Sequence, residues 1–202
     1  MANRSVFLDR DGTINEEVRH LSHEDQLKLI DGAAEAIKLL KASGFRVVVF
    51  TNQAAVARGY LSEQALNRIH QVMTDMLQAQ NAHLDAIYYC PHHPTAGNGL
   101  YRIACNCRKP RPGMLERAAR ELKIDLSQSF VVGDKISDLE AGHAVGCRGV
   151  LVRTGYGLKA ERLFRNCEFQ PHYVATNVLE AAHWILIQHV HHQSSDRYAW
   201  QS

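Results

Sequence analysis

Ser5-Val6-Phe7-Leu8-Asp9-Arg10-Asp11-Gly12-Thr13 is the stretch on which the fold turns. A short, mostly apolar run leads directly into two aspartates one residue apart, and then into a glycine. Such a run, bounded by turn residues, reads as a buried strand. Open α/β sheets place ligands and reactive groups at the carboxyl ends of their strands, which is where Asp9 and Asp11 fall. Gly12 permits a tight turn and close backbone approach to whatever binds there.

Outward from this stretch the pattern repeats. Residues 45–50, rich in valine, read as a second strand, and 86–89, 129–132 and 148–152 resemble it, with 172–175 weaker. Apolar residues at helical spacing mark helices over 33–42, 113–122, 138–145 and 177–189, and one that starts after Ser62 as N-cap. Gly44 is placed to end the first of these. Alternating strands and helices predict an α/β fold, a doubly wound parallel sheet with helices on both faces. Gly155 and Gly157, around Tyr156, read as an ordinary loop after a strand. The 202 residues suit one domain over 1–190, with a polar, loose tail at 191–202.

Composition narrows the partners. A net charge of +2, with no basic block, argues against nucleic acid and anionic membrane. No apolar stretch is long enough for a bilayer span or a secretory signal, so a soluble, cytoplasmic protein is expected. Five cysteines, an odd number, argue against a disulfide framework. Nothing calls for more than a monomer.

The other strand ends also carry chemistry. Thr51-Asn52 follows the second strand, Gly133-Asp134 follows the fourth, and Asp138 lies four residues on, either behind the site or capping its helix. Arg108-Lys109-Pro110 precedes the helix at 113–122. Carboxylates, a hydroxyl and a lysine thus converge on one sheet edge. Phosphoryl transfer from a monoester needs that set: one carboxylate to attack, a metal ion to balance charge, a cation and hydroxyl to hold the phosphoryl oxygens, and a second carboxylate to move protons.

One irregular stretch remains, residues 91–111. It is framed by Cys90-Pro91-His92 and Cys105-Asn106-Cys107, a Cys-x-His and a Cys-x-Cys twelve residues apart. Three thiols and an imidazole form a Cys₃His set suited to structural zinc, although the one-residue gaps are tighter than in common zinc fingers and His93 competes with His92 as the ligand. Zinc there would order a loop that ends at Arg108 and Lys109. Cys147 and Cys167 are isolated and read as structural.

The four segments resemble the haloacid dehalogenase (HAD) superfamily in order and strand context. That resemblance implies Asp9 as nucleophile, Asp11 as general acid/base, Thr51 and Lys109 as phosphate-holding residues, and magnesium on Asp9, the Asp11 carbonyl and Asp134. Only 39 residues, 12–50, separate Asp11 from Thr51, so no large cap domain fits between them. Phe7-Leu8-Asp9-Arg10-Asp11-Gly12-Thr13-Ile14-Asn15, residues 51–60 and residues 107–114 are together similar to the D-glycero-D-manno-heptose 1,7-bisphosphate 7-phosphatase family, whose product feeds ADP-heptose and lipopolysaccharide core synthesis. The similarity implies that Asp9, Arg10, Asp11, Glu17, Val18, Arg19, His20, Thr51, Asn52, Gln53, Ala54, Arg108, Lys109 and Lys135 contact a phosphorylated sugar, with Arg108 on the non-reacting phosphate. Ala54-Ala55 stands where a Ser-Gly pair is usual. Histidinol-phosphate phosphatase is the rival with the same machinery, and a zinc-knuckle binding module is the non-enzymatic one.

Overall fold

The computed structural model describes residues 3–97 and 99–198, and of 191–198 the backbone only. The side chains of the expected loose tail, and residues 199–202 altogether, lie outside the described residues.

Six parallel strands form one sheet in the order β3-β2-β1-β4-β5-β6. They are β1 Ser5–Leu8, β2 Arg46–Asn52, β3 Ala86–Cys90, β4 Phe130–Gly133, β5 Arg148–Val152 and β6 Tyr173–Ala175. The helices are α1 Ala33–Ala42, α2 Ala54–Ala57, α3 Glu63–Gln78, α4 Gly113–Leu122, α5 Ile136–His143, α6 Gly157–Phe164 and α7 Val178–Tyr198. Alternate residues of each strand point to opposite faces. Val6, Leu8, Val47, Val49, Val132 and Val150 therefore pack with α1, α3 and α7, while Phe7, Val48, Phe50 and Val131 pack with α4 and α5. A strand covered on both faces must be apolar throughout, which is why β1, β4 and most of β2 are continuous hydrophobic runs.

The strands run slightly further than expected: β2 carries Thr51 and Asn52, β3 reaches Cys90 and β4 reaches Gly133. Helix α5 starts at Ile136, two residues before the expected 138, so Asp138 lies in its first turn. The loop read around Gly155 and Gly157 instead leads into α6. Gly157 opens that helix because a Cβ there would collide with the Val152 carbonyl. Between Asp11 and β2 lie only a 3-10 turn, Glu24–Gln26, and α1, so no cap domain is inserted there. No helix among the described residues is long and apolar enough to cross a membrane.

The strand order reverses direction between β1 and β4, which pair from Val6 with Phe130 to Leu8 with Val132. The crevice outside that switch point is the natural binding place in a sheet of this kind.

Candidate active site

Asp9 leaves the end of β1 with its N–H donated to the Val132 carbonyl at 2.9 Å, which aims its side chain into the crevice. Lys109 reaches it from the opposite wall. Its ammonium donates to Asp9 Oδ1 at 2.9 Å and to the Phe50 carbonyl at 2.9 Å, and pairs with Asp138 Oδ1 at 2.7 Å. Burial disfavours its charge, but Asp138 and Asp9 outweigh burial and raise the Lys109 pKa. Asn52 fixes the backbone of Lys109 from both sides, donating to its carbonyl and accepting its N–H, each at 3.1 Å. Asp138 thus stands behind the site, where it anchors Lys109 and also accepts the Lys135 N–H at 3.0 Å as a helix cap.

Asp11 is held differently. Arg10 forks onto it with three contacts of 2.8–3.0 Å, Asn15 donates to it at 3.0 Å and Gln53 at 2.8 Å. Burial works against ionisation, yet Arg10, Asn15 and Gln53 together hold the carboxyl below its ordinary range. Gln53 also donates to the Thr51 hydroxyl at 2.9 Å, joining the ends of β1 and β2. Arg10 itself is completely buried, and its guanidinium is spent on Asp11.

Asp134 closes the third side. Its Oδ2 accepts the Tyr156 N–H at 2.8 Å, and Thr154 Oγ1 donates to the Gly12 carbonyl at 2.5 Å. A Cβ on Gly155 or on Gly12 would collide with Asp134 Oδ2, so two glycines with positive φ let the β1 and β5 loops cross over this carboxylate. Gly155→Ala should therefore displace Asp134. The expected result is a roughly 100-fold fall in kcat/KM and a higher magnesium requirement, read by titrating magnesium against phosphate release, with about 1–3 kcal/mol lost in denaturant melts. Unchanged magnesium dependence would mean that the crossing serves only the fold.

Lys135 Nζ lies 3.0 Å from Asp134 Oδ1, 3.4 Å from the Asp11 carbonyl, 3.6 Å from Asp9 Oδ2 and 3.2 Å from Glu17 Oε2. Three of those four acceptors are the expected magnesium ligands. An ammonium drawn into their midst, with Asp9, Asp134 and Asp138 oxygens all within 4.8 Å of one another, shows that the site suits a hard cation. Burial and the negative charge of Asp9 push the Asp134 carboxyl up to about 7. A carboxyl whose pKa is raised on folding adds stability below its unfolded value, and that stability is lost as pH rises through the folded one. In chelator, Asp134→Asn should thus melt higher than the parent, by on the order of 5 °C at pH 8, with the gap shrinking towards pH 5 and closing when magnesium is added to the parent. A variant that melts below the parent at pH 8 in chelator would contradict this.

The pocket over these groups has a volume of about 460 Å³. Asp9, Asp11, Glu17, Arg19, His20, Thr51, Asn52, Gln53, Ala54, Arg108, Lys109 and Lys135 all line it. Val18 does not, and faces a neighbouring cleft. Ala54 presents a methyl group to the pocket. Asn15, Thr154, Gly155 and Tyr156 belong to the site yet escape sequence reading. Asn15 ends the family-like stretch 7–15, and the glycines around Tyr156 could mark backbone approach to a ligand but read more readily as an ordinary loop.

The Cys₃His set also assembles. Sγ of Cys90, Cys105 and Cys107 lie 3.1–3.5 Å apart, and His92 Nδ1 is 3.3 Å from Cys107 Sγ and 3.7 Å from Cys90 Sγ. The edges of a thiolate tetrahedron around zinc are about 3.7 Å, so the cluster is close to the required size. Burial and the neighbouring thiols push the Cys90 pKa up, a cost that a bound cation would reverse. His93 instead accepts backbone N–H groups from Thr95 and Ala96, and His92 is the imidazole that joins the three cysteines. Arg108 Nη1 donates to the His92 carbonyl at 3.0 Å, tying the pocket wall to the cluster. Cys147 is buried in the core under α5, as expected.

Comparison with known proteins agrees with this geometry. A HAD-hydrolase-like family profile matches residues 106–181. The D-glycero-beta-D-manno-heptose-1,7-bisphosphate 7-phosphatase of Haemophilus influenzae is 46% identical over 160 residues, 79% of this chain and 86% of that one. That of Escherichia coli K12 is 44% identical over 159 residues, 78% and 83% of the two chains. The D,D-heptose 1,7-bisphosphate phosphatase of B. bronchiseptica, solved with magnesium and phosphate, superposes with a TM-score of 0.81 at 34% identity, covering 92% of this chain and 99% of its own.

Proposed function

The chain belongs to the D-glycero-beta-D-manno-heptose-1,7-bisphosphate 7-phosphatase family, and on that premise we propose that it removes the C7 phosphate of this sugar bisphosphate by way of an aspartyl-phosphate on Asp9. It is a HAD-type phosphatase. The observation that carries the mechanism is the meeting of Asp9 with the Lys109 ammonium, 2.9 Å apart, at the β1–β4 switch point beside Asp11 and Asp134.

Asp9 attacks phosphorus in line, so its oxygen–phosphorus bond forms as the bond to the sugar C7 oxygen breaks. Asp11 gives that leaving oxygen its proton. The same carboxylate then takes a proton from water, which attacks phosphorus and frees Asp9. The network of Arg10, Asn15 and Gln53 stabilises the ionised form of Asp11, the form the second half needs. For the first half, the negative charge of an incoming phosphate favours the protonated form. Lys109 and the Thr51 hydroxyl hold the transferring oxygens, and Arg108 meets the second phosphate. Magnesium bound by Asp9, the Asp11 carbonyl and Asp134 would neutralise phosphoryl charge. Zinc on Cys90, His92, Cys105 and Cys107 would be structural, since four protein ligands leave no open position. Arg10 and Val18 contribute through the backbone or by packing. The enzyme works as a cytoplasmic monomer, and its product, heptose 1-phosphate, enters ADP-heptose and lipopolysaccharide core synthesis.

Phosphate release with magnesium tests this reading, with heptose 1,7-bisphosphate compared against histidinol phosphate. We expect kcat/KM at least ~100-fold higher for the heptose, because unpaired polar groups in the pocket penalise the wrong leaving group. The reverse preference would keep the chemistry and overturn the substrate. No release from either would return the zinc-knuckle module to consideration.

A further inference from the structure

The catalytic pocket is lined mainly by charged and amide side chains. A sugar phosphate offers such a pocket a dianion at one end. Behind it comes a carbon frame with apolar C–H faces as well as hydroxyls. Those faces are best met by an aromatic ring. Two rings stand on the wall, His20 and Tyr156. The His20 ring already packs on Tyr60, with centroids 4.9 Å apart.

Tyr156 combines an exposed ring with a fixed backbone. The residue is 39% exposed, and it belongs to none of the hydrophobic clusters that make up the core. Its N–H, however, is held by Asp134 at 2.8 Å, and the turn it sits on is locked to Gly12 through Thr154 and Gly155. The ring forms part of both the catalytic pocket and an adjoining cleft of about 770 Å³. Lys135 Nζ lies 5.1 Å from the ring centroid, so the ring borders the ammonium that sits among the site carboxylates. An aromatic side chain with two rotatable bonds, on an immobile base, gives contact area at little entropic cost.

We propose that Tyr156 is the sugar platform of this site: its ring packs against the C–H face of the leaving heptose, and it thereby selects among phosphate esters without touching the phosphoryl group in transfer. The proposal rests on the reading of the protein as a heptose bisphosphate phosphatase. It predicts an effect on KM for sugar substrates alone.

The test uses the full-length, magnesium-loaded enzyme with Tyr156→Ala, Tyr156→Leu and Tyr156→Phe. Heptose 1,7-bisphosphate is compared with acetyl phosphate, an acyl phosphate without a sugar face, and inorganic phosphate serves as a competitive inhibitor. Tyr156→Ala should raise KM for the heptose about tenfold with kcat within about twofold, a loss of the size expected for one ring face. The acetyl phosphate KM and the phosphate inhibition constant should stay within about twofold of the parent, below the scale of a single lost contact. Tyr156→Phe should match the parent, and Tyr156→Leu, which keeps apolar bulk without a planar face, should fall between and covers the case in which the alanine variant does not fold. An unchanged heptose KM overturns the platform. So does a parallel rise in KM and in the phosphate inhibition constant, because the ring would then act through Lys135 alone. A parent enzyme without preference for the heptose over acetyl phosphate sinks the functional reading and the platform with it, whereas a preference undiminished in Tyr156→Ala and Tyr156→Leu sinks the platform alone.

Discussion

Asp9→Asn is expected to lower kcat for phosphate release by at least ~10⁴-fold while leaving the thermal midpoint within a few degrees of the parent. The substitution is nearly isosteric. Its side-chain oxygen can still accept from the Lys109 ammonium, which keeps Asp138 at 2.7 Å and the Phe50 carbonyl at 2.9 Å. The Asp9 N–H also keeps its strand partner, the Val132 carbonyl. Hence the fold retains its contacts, and one negative charge leaves a crowded group of buried carboxylates. The only thing removed is the oxygen that can bond to phosphorus. Asp11 cannot replace it, because Arg10, Asn15 and Gln53 hold that carboxylate away along the neighbouring wall. Rapid-quench turnover of the parent should trap phosphate on the protein, and the variant should trap none. A variant within tenfold of the parent in kcat would remove Asp9 from the nucleophile's role.

Much of this site is legible in the sequence because its chemistry sits where secondary structure changes. Asp9 and Asp134 follow, and Thr51 lies at the end of, strands that must be apolar on both faces, and Lys109 precedes an amphipathic helix. Local pattern therefore marks their position in the sheet, and the parallel topology brings them together. What escapes has a different origin. Gly155 contributes only the absence of a side chain beneath Asp134, a need that exists once residues 12 and 155 cross. Tyr156 holds Asp134 through a backbone N–H, which every residue but proline possesses. The family resemblance makes Arg10 a pocket residue, but the chain past β1 turns it inward, where it is completely buried. Helix α6 is hidden because Gly155 and Gly157, before and at its start, mark a turn equally well. Single residues reveal chemistry carried by side chains, whereas contributions made by space or by backbone appear only in three dimensions.

Cys107→Ser should damage both stability and turnover, and the two losses together would reveal how the loop serves the site. Between Cys90 and Cys107 the described chain has no strand and only a 3-10 turn at Gly99–Tyr101. Little hydrophobic burial holds it, since Leu100 is 88% exposed. The thiol–imidazole cluster is its main fastening, and metal bound there counts directly as folding free energy. Losing one ligand should cost about 3–5 kcal/mol, or a fall in thermal midpoint on the order of 10 °C. The effect should not stop at the loop. Cys107 is followed at once by Arg108, whose guanidinium grips the His92 carbonyl, and by Lys109, whose backbone is clamped by Asn52. A loosened cluster lets Lys109 drift from Asp9, and a misplacement of about 1 Å at a reacting centre can cost ~100-fold in rate. The signature is a fall in kcat well below the melting temperature, with faster amide exchange over residues 91–112 and normal exchange in β1 and β4. A lowered melting temperature with kcat intact would make the cluster a staple that catalysis does not feel. If neither changes, and the parent protein carries no zinc by elemental analysis, the four residues are only packed neighbours and Lys109 is positioned by Asn52, Asp9 and Asp138 unaided.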